Sequence, residues 1–144
     1  MKVAATKRLV LDASVALAWC FPDEATAYTE AILDLLAAGG EGLVPSIWPF
    51  EVGNAIVVAE RRKRIALAQS TAVLQRVLAL PIAIDPVGMD RAFGPILSAA
   101  RDEKLTEYDA AYLELALREA LPLATLDDSL QQAAKRVGVV IVRV

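Results

Sequence analysis

Arg8-Leu-Val-Leu-Asp-Ala-Ser-Val-Ala-Leu-Ala-Trp19 begins with a short apolar run that ends on an acid, Asp12, and leads into a brief helical segment, Val15–Trp19, closed by Phe21-Pro22. An apolar run with no polar face is the pattern of a strand buried on both sides. The same alternation continues outward from this stretch. Glu24–Ala38 repeats Ala27, Ala31, Leu35 and Ala38 at helical spacing and stops at Gly39-Gly40. Leu43-Val44 reads as a strand, Pro45-Ser46 opens a helix from Trp48 to about Lys63, and Ala66–Leu80 forms the second arm of a helical hairpin. Ile82–Ile84 is a strand, Met89–Asp102 a helix, and Thr106 starts another helix that runs to Ala120. Leu123–Thr125 is a strand, Asp128–Val137 a helix, and Val139–Val142 a last strand of β-branched residues. Strands alternating with helices specify an α/β domain with a central parallel sheet flanked by helices. No repeat, low-complexity tract or linker interrupts it, and 144 residues suit a single domain over 1–144.

Composition removes several function classes. The chain has no His, so Ser-His-Asp and Cys-His catalysis, His-ligated zinc and imidazole acid–base chemistry are unavailable. Its one cysteine, Cys20, can form neither an internal disulfide nor a thiolate cluster, and reads as a small buried hydrophobe suited to a reducing cytoplasm. A net charge of −3 argues against a nonspecific DNA coater, although a metal can supply positive charge locally. Hydrophobic residues make up 56%, above the roughly 45–50% of ordinary domains, which implies a large core plus an apolar surface that awaits a partner. The excess is not a membrane span, because the longest charge-free run, Ile65–Gln75, is far short of the ~20 residues a bilayer needs. Met1–Arg8 followed by Leu9–Phe21 mimics a signal peptide, with Ala25-Thr26-Ala27 as a cleavage-like site. Asp12 inside the apolar stretch argues against that, and the expected location is the cytoplasm.

Parallel sheets bind ligands outside the carboxyl ends of their strands. Asp12 follows the first strand, Asp127 follows Leu123–Thr125, Asp109 lies in the first turn of the helix opened by Thr106, and Glu51 in the first turn of the helix opened by Ser46-Ile47-Trp48-Pro49. Ser14 stands two residues after Asp12, and Asn54 shares the face of Glu51. Taken singly, Asp12, Ser14, Asp109 and Asp127 are the residue types that cap helix N-termini, and Thr106 with Asp109 resembles a capping box. Glu51 is harder to explain so, since Trp48, Phe50, Val52, Ala55 and Ile56 around it are apolar. Four acids on one rim, with no interleaved Lys or Arg, repel one another, and a hard divalent cation is the simplest remedy.

Four motifs carry a family resemblance: Val10–Trp19, Pro45-Ser-Ile-Trp-Pro-Phe-Glu-Val-Gly-Asn54, Leu105-Thr-Glu-Tyr-Asp-Ala-Ala-Tyr112 and Leu123-Ala-Thr-Leu-Asp127. In this order they resemble a PIN-domain ribonuclease, and most of all the VapC toxin of bacterial and archaeal toxin–antitoxin pairs. The likeness covers residues 8–142, with residues 1–7 as an N-terminal extension and Ser14 where the family more often has Thr. The family's acidic quartet falls on Asp12, Glu51, Asp109 and Asp127, and its small polar residues on Ser14, Asn54 and Thr125. Asp128 sits beside Asp127 and leaves open which of the two faces a metal. The resemblance implies a Mg2+-dependent endoribonuclease, with Mn2+ a plausible substitute, that hydrolyses RNA by metal-activated water. Asp12 and Asp109 would be the firmest ligands and Asp127 would support them. Glu51 would hold a second ion or orient the attacking water, with Ser14, Asn54 and Thr125 behind them.

The resemblance also implies a cognate antitoxin that blocks the acidic site, and self-association as a homodimer or in a larger toxin–antitoxin assembly. Helices Glu24–Ala38 and Trp48–Leu80, rich in Ala, Leu and Val, are the surfaces expected to take these partners. The basic cluster Arg61-Arg62-Lys63-Arg64 is the candidate RNA contact, set against the ordinary role of cations at a helix C-terminus and an Arg64–Glu60 pair. Lys104 is a weaker candidate, and Trp19 and Trp48 read as core. Two rival classes compete. A phosphoacceptor receiver domain needs an acid pair after its first strand, whereas Ala13 follows Asp12, and a Lys after its last strand, whereas this chain ends on Arg143-Val144. A catalytically inert PIN-like binding module is the alternative, and the presence of all four acids counts against it.

Overall fold

The computed structural model describes residues 8–144, and the extension expected over 1–7 lies outside them. Leu9, Val10 and Leu11 of strand β1 (Arg8–Leu11) are completely buried, as a run without a polar face requires at the centre of a parallel sheet. On one side β1 pairs with β2 (Glu41–Pro45), which pairs with β3 (Ile82–Asp85); on the other it pairs with β4 (Leu123–Ala124). All pairings are parallel, the order is β3-β2-β1-β4, and Val10 stands opposite both Leu43 and Leu123. This is the α/β fold read from the sequence.

The first crossover contains α1 (Ala13–Cys20), a 3-10 turn over Pro22–Glu24, and α2 (Ala27–Ala37), which is tied at its start by Thr26 and Thr29 in a reciprocal capping box. The hairpin of α3 (Trp48–Arg61) and α4 (Leu67–Leu78) makes the second crossover. The third contains α5 (Met89–Phe93), α6 (Pro95–Glu103) and α7 (Glu107–Glu119), and α8 (Asp128–Val137) follows β4. Helix α7 is the central one: Ala110, Tyr112, Leu113, Leu115 and Ala116 are buried in it.

Two expectations are corrected. The helix expected over Met89–Asp102 is broken into α5 and α6 at Gly94-Pro95, where proline has no N–H to continue the ladder and disfavours helical backbone in the residue before it. The strand expected over Val139–Val142 shrinks to one parallel bridge, Leu123 to Ile141. The Leu123 N–H donates to the Val140 carbonyl at 2.8 Å and the Val142 N–H to the Leu123 carbonyl at 2.9 Å. Its neighbour β4 is two residues long, so β-propensity has no ladder to extend along. Gly138 at φ 84° supplies the left-handed residue that ends α8 and turns the chain into this edge.

Cys20 is buried and unpaired, Trp48 lies in the core, and Trp19 packs against it while donating from Nε1 to the Thr29 carbonyl at 2.8 Å. Among the described residues no helix is long and apolar enough to cross a membrane.

Candidate active site

The strand order sets where the site forms. The chain moves from β1 through β2 to β3 at one edge, then returns to lay β4 on the opposite side of β1. The loops leaving β1 and β4 therefore diverge, and the crevice between them is where open α/β sheets receive ligands. Asp12 ends β1 at this crevice, its N–H donating to the Ala124 carbonyl at 3.0 Å, and Asp127 lies three residues beyond Ala124.

Asp12 is a buried carboxylate, only 6% exposed. It occupies the N-cap position of α1 but makes no side-chain capping bond there, so capping does not account for it. Instead its Oδ2 accepts from the hydroxyls of Ser14 and Thr125, both at 2.7 Å. The Ser14 Oγ in turn accepts from the Leu126 N–H at 2.9 Å, and the buried Thr125 Oγ1 from the Asp127 N–H at 3.0 Å. Two hydroxyls thus tie the ends of β1 and β4 together through one carboxylate, 113 residues apart in sequence. Burial pushes the Asp12 pKa above the ordinary value, the Ser14 and Thr125 hydroxyls pull against that rise, and the nearby charge of Asp127 adds to it.

The other acids arrive on helix starts. Asp127 is the N-cap of α8, its Oδ1 accepting from the Leu130 N–H at 2.9 Å; it is half-buried, whereas Asp128 is exposed. Asp109 lies in the first turn of α7, its N–H donating to the Thr106 Oγ1 at 3.1 Å, so half of the expected capping box forms. Its pKa is raised by burial first, then by the charges of Asp127 and Asp12. Glu51, in the first turn of α3, is half-buried; burial raises its pKa, the Tyr112 hydroxyl that donates to its Oε1 opposes the rise, and Asp12 and Asp109 reinforce it.

The four acids therefore share one electrostatic neighbourhood, and none of the ion pairs among the described residues reaches it. Among those residues no three carboxylates close into a ready-made ligand cage. An uncompensated, partly buried group of hard oxygen donors, without nitrogen or sulfur, suits a divalent ion such as Mg2+, which keeps several waters and takes only one or two carboxylates.

The remaining sequence candidates are less gathered. Asn54, one turn beyond Glu51, is exposed and makes no side-chain hydrogen bond among the described residues. Arg61, Arg62 and Lys63 are exposed at the far end of α3, Arg61 about 15 Å along the helix axis from Glu51 at 1.5 Å per residue. Arg64 pairs not with Glu60 but with Asp23 (3.0 Å) and Glu24 (2.7 Å), over the Phe21 ring. Lys104 is exposed in the left-handed C-cap of α6.

Sequence reasoning passed over two features. Tyr112 is completely buried at the site, and its signal was its place three residues after Asp109 on the same helical face. Buried Glu114, farther along α7, pairs with Arg91 and with Arg118, which also binds Asp85 of β3 at 2.6 Å. Apolar side chains stand exposed on the surfaces expected to take partners, including Phe50, Leu67 and Leu78, the last 84% exposed.

Comparison with known proteins agrees with this architecture. The PIN domain family model matches residues 9–136. Among solved structures, the chain is similar to PAE2754 from Pyrobaculum aerophilum, with a TM-score of 0.70, 23% identity, and coverage of 94% of this chain and 83% of the other. It is also similar to VapBC2 from Rickettsia felis bound to a DNA fragment from their promoter, with a TM-score of 0.64, 16% identity, and coverage of 94% and 97%. A third similar structure is FitAcB from Neisseria gonorrhoeae, with a TM-score of 0.56, 19% identity, and coverage of 94% and 96%. No curated protein matches the sequence significantly.

Proposed function

The chain belongs to the PIN domain family, whose members are generally nucleases, and from that premise we propose that it is a Mg2+-dependent endoribonuclease, the toxin of a toxin–antitoxin pair acting in the cytoplasm. The observation that carries the reading is Asp12, a buried carboxylate held by two hydroxyls in the company of three other acids and, among the described residues, no ion-paired cation. A buried anion so surrounded is costly to keep unless it serves a positive ligand.

Asp12 and Asp109 would hold the ion, with Asp127 in support. Mg2+, or Mn2+ in its stead, when bound neutralises charge building on the phosphate and lowers the pKa of water. Ser14 and Thr125 fix the Asp12 carboxylate in one orientation, so that no rotamer search precedes binding. Glu51 would hold a second ion or orient the attacking water, and Asn54, exposed one turn farther along α3, is free to contact solvent or substrate. Arg61, Arg62 and Lys63 attract the RNA backbone from outside the acidic crevice. The exposed apolar residues of α3 and α4, Phe50, Val57, Leu67 and Leu78, support pairing with a second copy and with an antitoxin, as does the likeness to VapBC2 of Rickettsia felis. An antitoxin Arg or Lys entering among the four acids would replace the ion and silence the enzyme.

Cleavage of total RNA by the purified protein with Mg2+, with EDTA, and as Asp12→Asn tests this. Discrete fragments that need both the metal and Asp12 are expected. A folded wild-type protein that binds RNA yet never cleaves it with Mg2+ or Mn2+ would overturn the reading in favour of an inert binding module.

A further inference from the structure

Tyr112 stands at the site and has no part in the chemistry described above. Its ring is completely buried on α7, three residues after Asp109, and its hydroxyl donates to Glu51 Oε1 across 61 residues of sequence. A buried tyrosine hydroxyl needs a partner, and here the partner is a half-buried acid on a different helix. The Tyr112 hydroxyl is the only side-chain hydrogen bond to the Glu51 carboxylate among the described residues. A glutamate side chain turns about three bonds, and holding it in one rotamer costs entropy that a fixed donor repays. The nature of the donor matters as well. A Lys or Arg here would pin Glu51 and also cancel its charge; a phenol is neutral at working pH and pins the carboxylate while leaving the acidic field intact. The ring is completely buried within the main hydrophobic core, where close packing opposes a change of rotamer.

Resting on the ribonuclease reading, we infer that Tyr112 is a positioning residue: its hydroxyl occupies one oxygen of Glu51 and thereby presents the other to the acidic crevice. It touches neither substrate nor metal and acts through Glu51 alone.

The test is a double-mutant cycle of Tyr112→Phe and Glu51→Ala, which leaves the Tyr112 hydroxyl no acceptor on residue 51, read by kcat and KM for Mg2+-dependent RNA cleavage and, without metal or RNA, by urea unfolding in EDTA. Loss of a supporting partner behind an active-site carboxylate typically costs 10–100-fold, so Tyr112→Phe should lower kcat by about that factor and leave KM for RNA within about twofold. Because the hydroxyl acts through Glu51, the double variant should be no slower than Glu51→Ala alone, and the metal-free unfolding cycle should show coupling of about tenfold in the equilibrium constant. Replacing Tyr112 by 3-fluorotyrosine, which keeps the hydroxyl, should keep kcat within about threefold, separating donor loss from disturbed packing. Wild-type kcat in Tyr112→Phe, or the same fold loss with and without Glu51, overturns the positioning role while the nuclease reading stands. Absence of Mg2+-dependent cleavage by the wild type overturns that reading and the inference with it.

Discussion

Replacing Thr125 by valine, an isosteric change at a completely buried position, tests whether the Asp12 network holds the two central strands together at the crevice. The change deletes a hydroxyl that donates to Asp12 Oδ2 at 2.7 Å and accepts from the Asp127 N–H at 3.0 Å. A hydrogen bond to a charged group contributes about 1.5–3 kcal/mol, and the orphaned N–H costs about 1–3 kcal/mol when buried, here toward the low end because Asp127 is half-exposed. The added buried methyl returns about 0.8 kcal/mol. The net expectation is a loss of about 2–3 kcal/mol at pH 7.5 in EDTA, read by urea unfolding at unchanged m-value.

The sign with pH follows from which protonation state the bond favours. Thr125 donates to the ionised form, so the penalty is full where Asp12 is charged. It shrinks as pH falls through the raised Asp12 pKa, which lies above the ordinary 3.8. Thr125→Ser should lose much less than Thr125→Val at neutral pH. A valine variant within 0.5 kcal/mol of wild type, or one whose penalty grows on acidification, would refute the account of Asp12 as a buried, hydroxyl-held anion.

Three further outcomes are expected. In EDTA the wild type should lose stability as pH rises from the ordinary carboxylate range through the raised pKa values of Asp12, Glu51 and Asp109, because the folded state binds more protons there than the unfolded chain; Asp12→Asn should flatten that slope in urea titrations, and Mg2+ should offset it at pH 7.5. Arg118→Met should cost about 2–3 kcal/mol in thermal or urea unfolding, since it leaves Asp85 unpaired and buried Glu114 with Arg91 alone, the figure being discounted for the partial exposure of Arg118. Neutralising Arg61 and Arg62 together should weaken RNA binding and reduce the slope of log affinity against log salt by about 1.4 if both contact phosphates, whereas Arg64→Gln, which breaks pairs with Asp23 and Glu24, should act mainly on stability.

Much of this molecule is local and therefore legible in the chain. Leu9–Leu11 reads as a buried strand because it has no polar side to turn outward, and Asp12 is notable because it ends that run. The same holds for the helices over Trp48–Arg61 and Asp128–Val137, whose periodicity and caps lie within a few residues of one another. The break at Gly94-Pro95, which splits the helix expected over Met89–Asp102, is equally local, because proline cannot continue the hydrogen-bond ladder.

What the sequence by itself determined was a parallel α/β domain with four acids at strand ends and helix starts. Only the tertiary structure decided that these acids meet, because strand order sets which loops diverge at β1 and β4, and order is invisible to a side-chain period of two or 3.6. Tertiary contacts likewise separated half-buried Asp127 from exposed Asp128, withheld a strand from Val139–Val142 for want of a long enough neighbour, and spent Arg64 on Asp23 and Glu24. They joined Tyr112 to Glu51 and Thr125 to Asp12 across 61 and 113 residues. Such bonds depend on how the chain closes distant loops, and propensity acts over single turns; residue types named the chemistry, and chain closure assembled it.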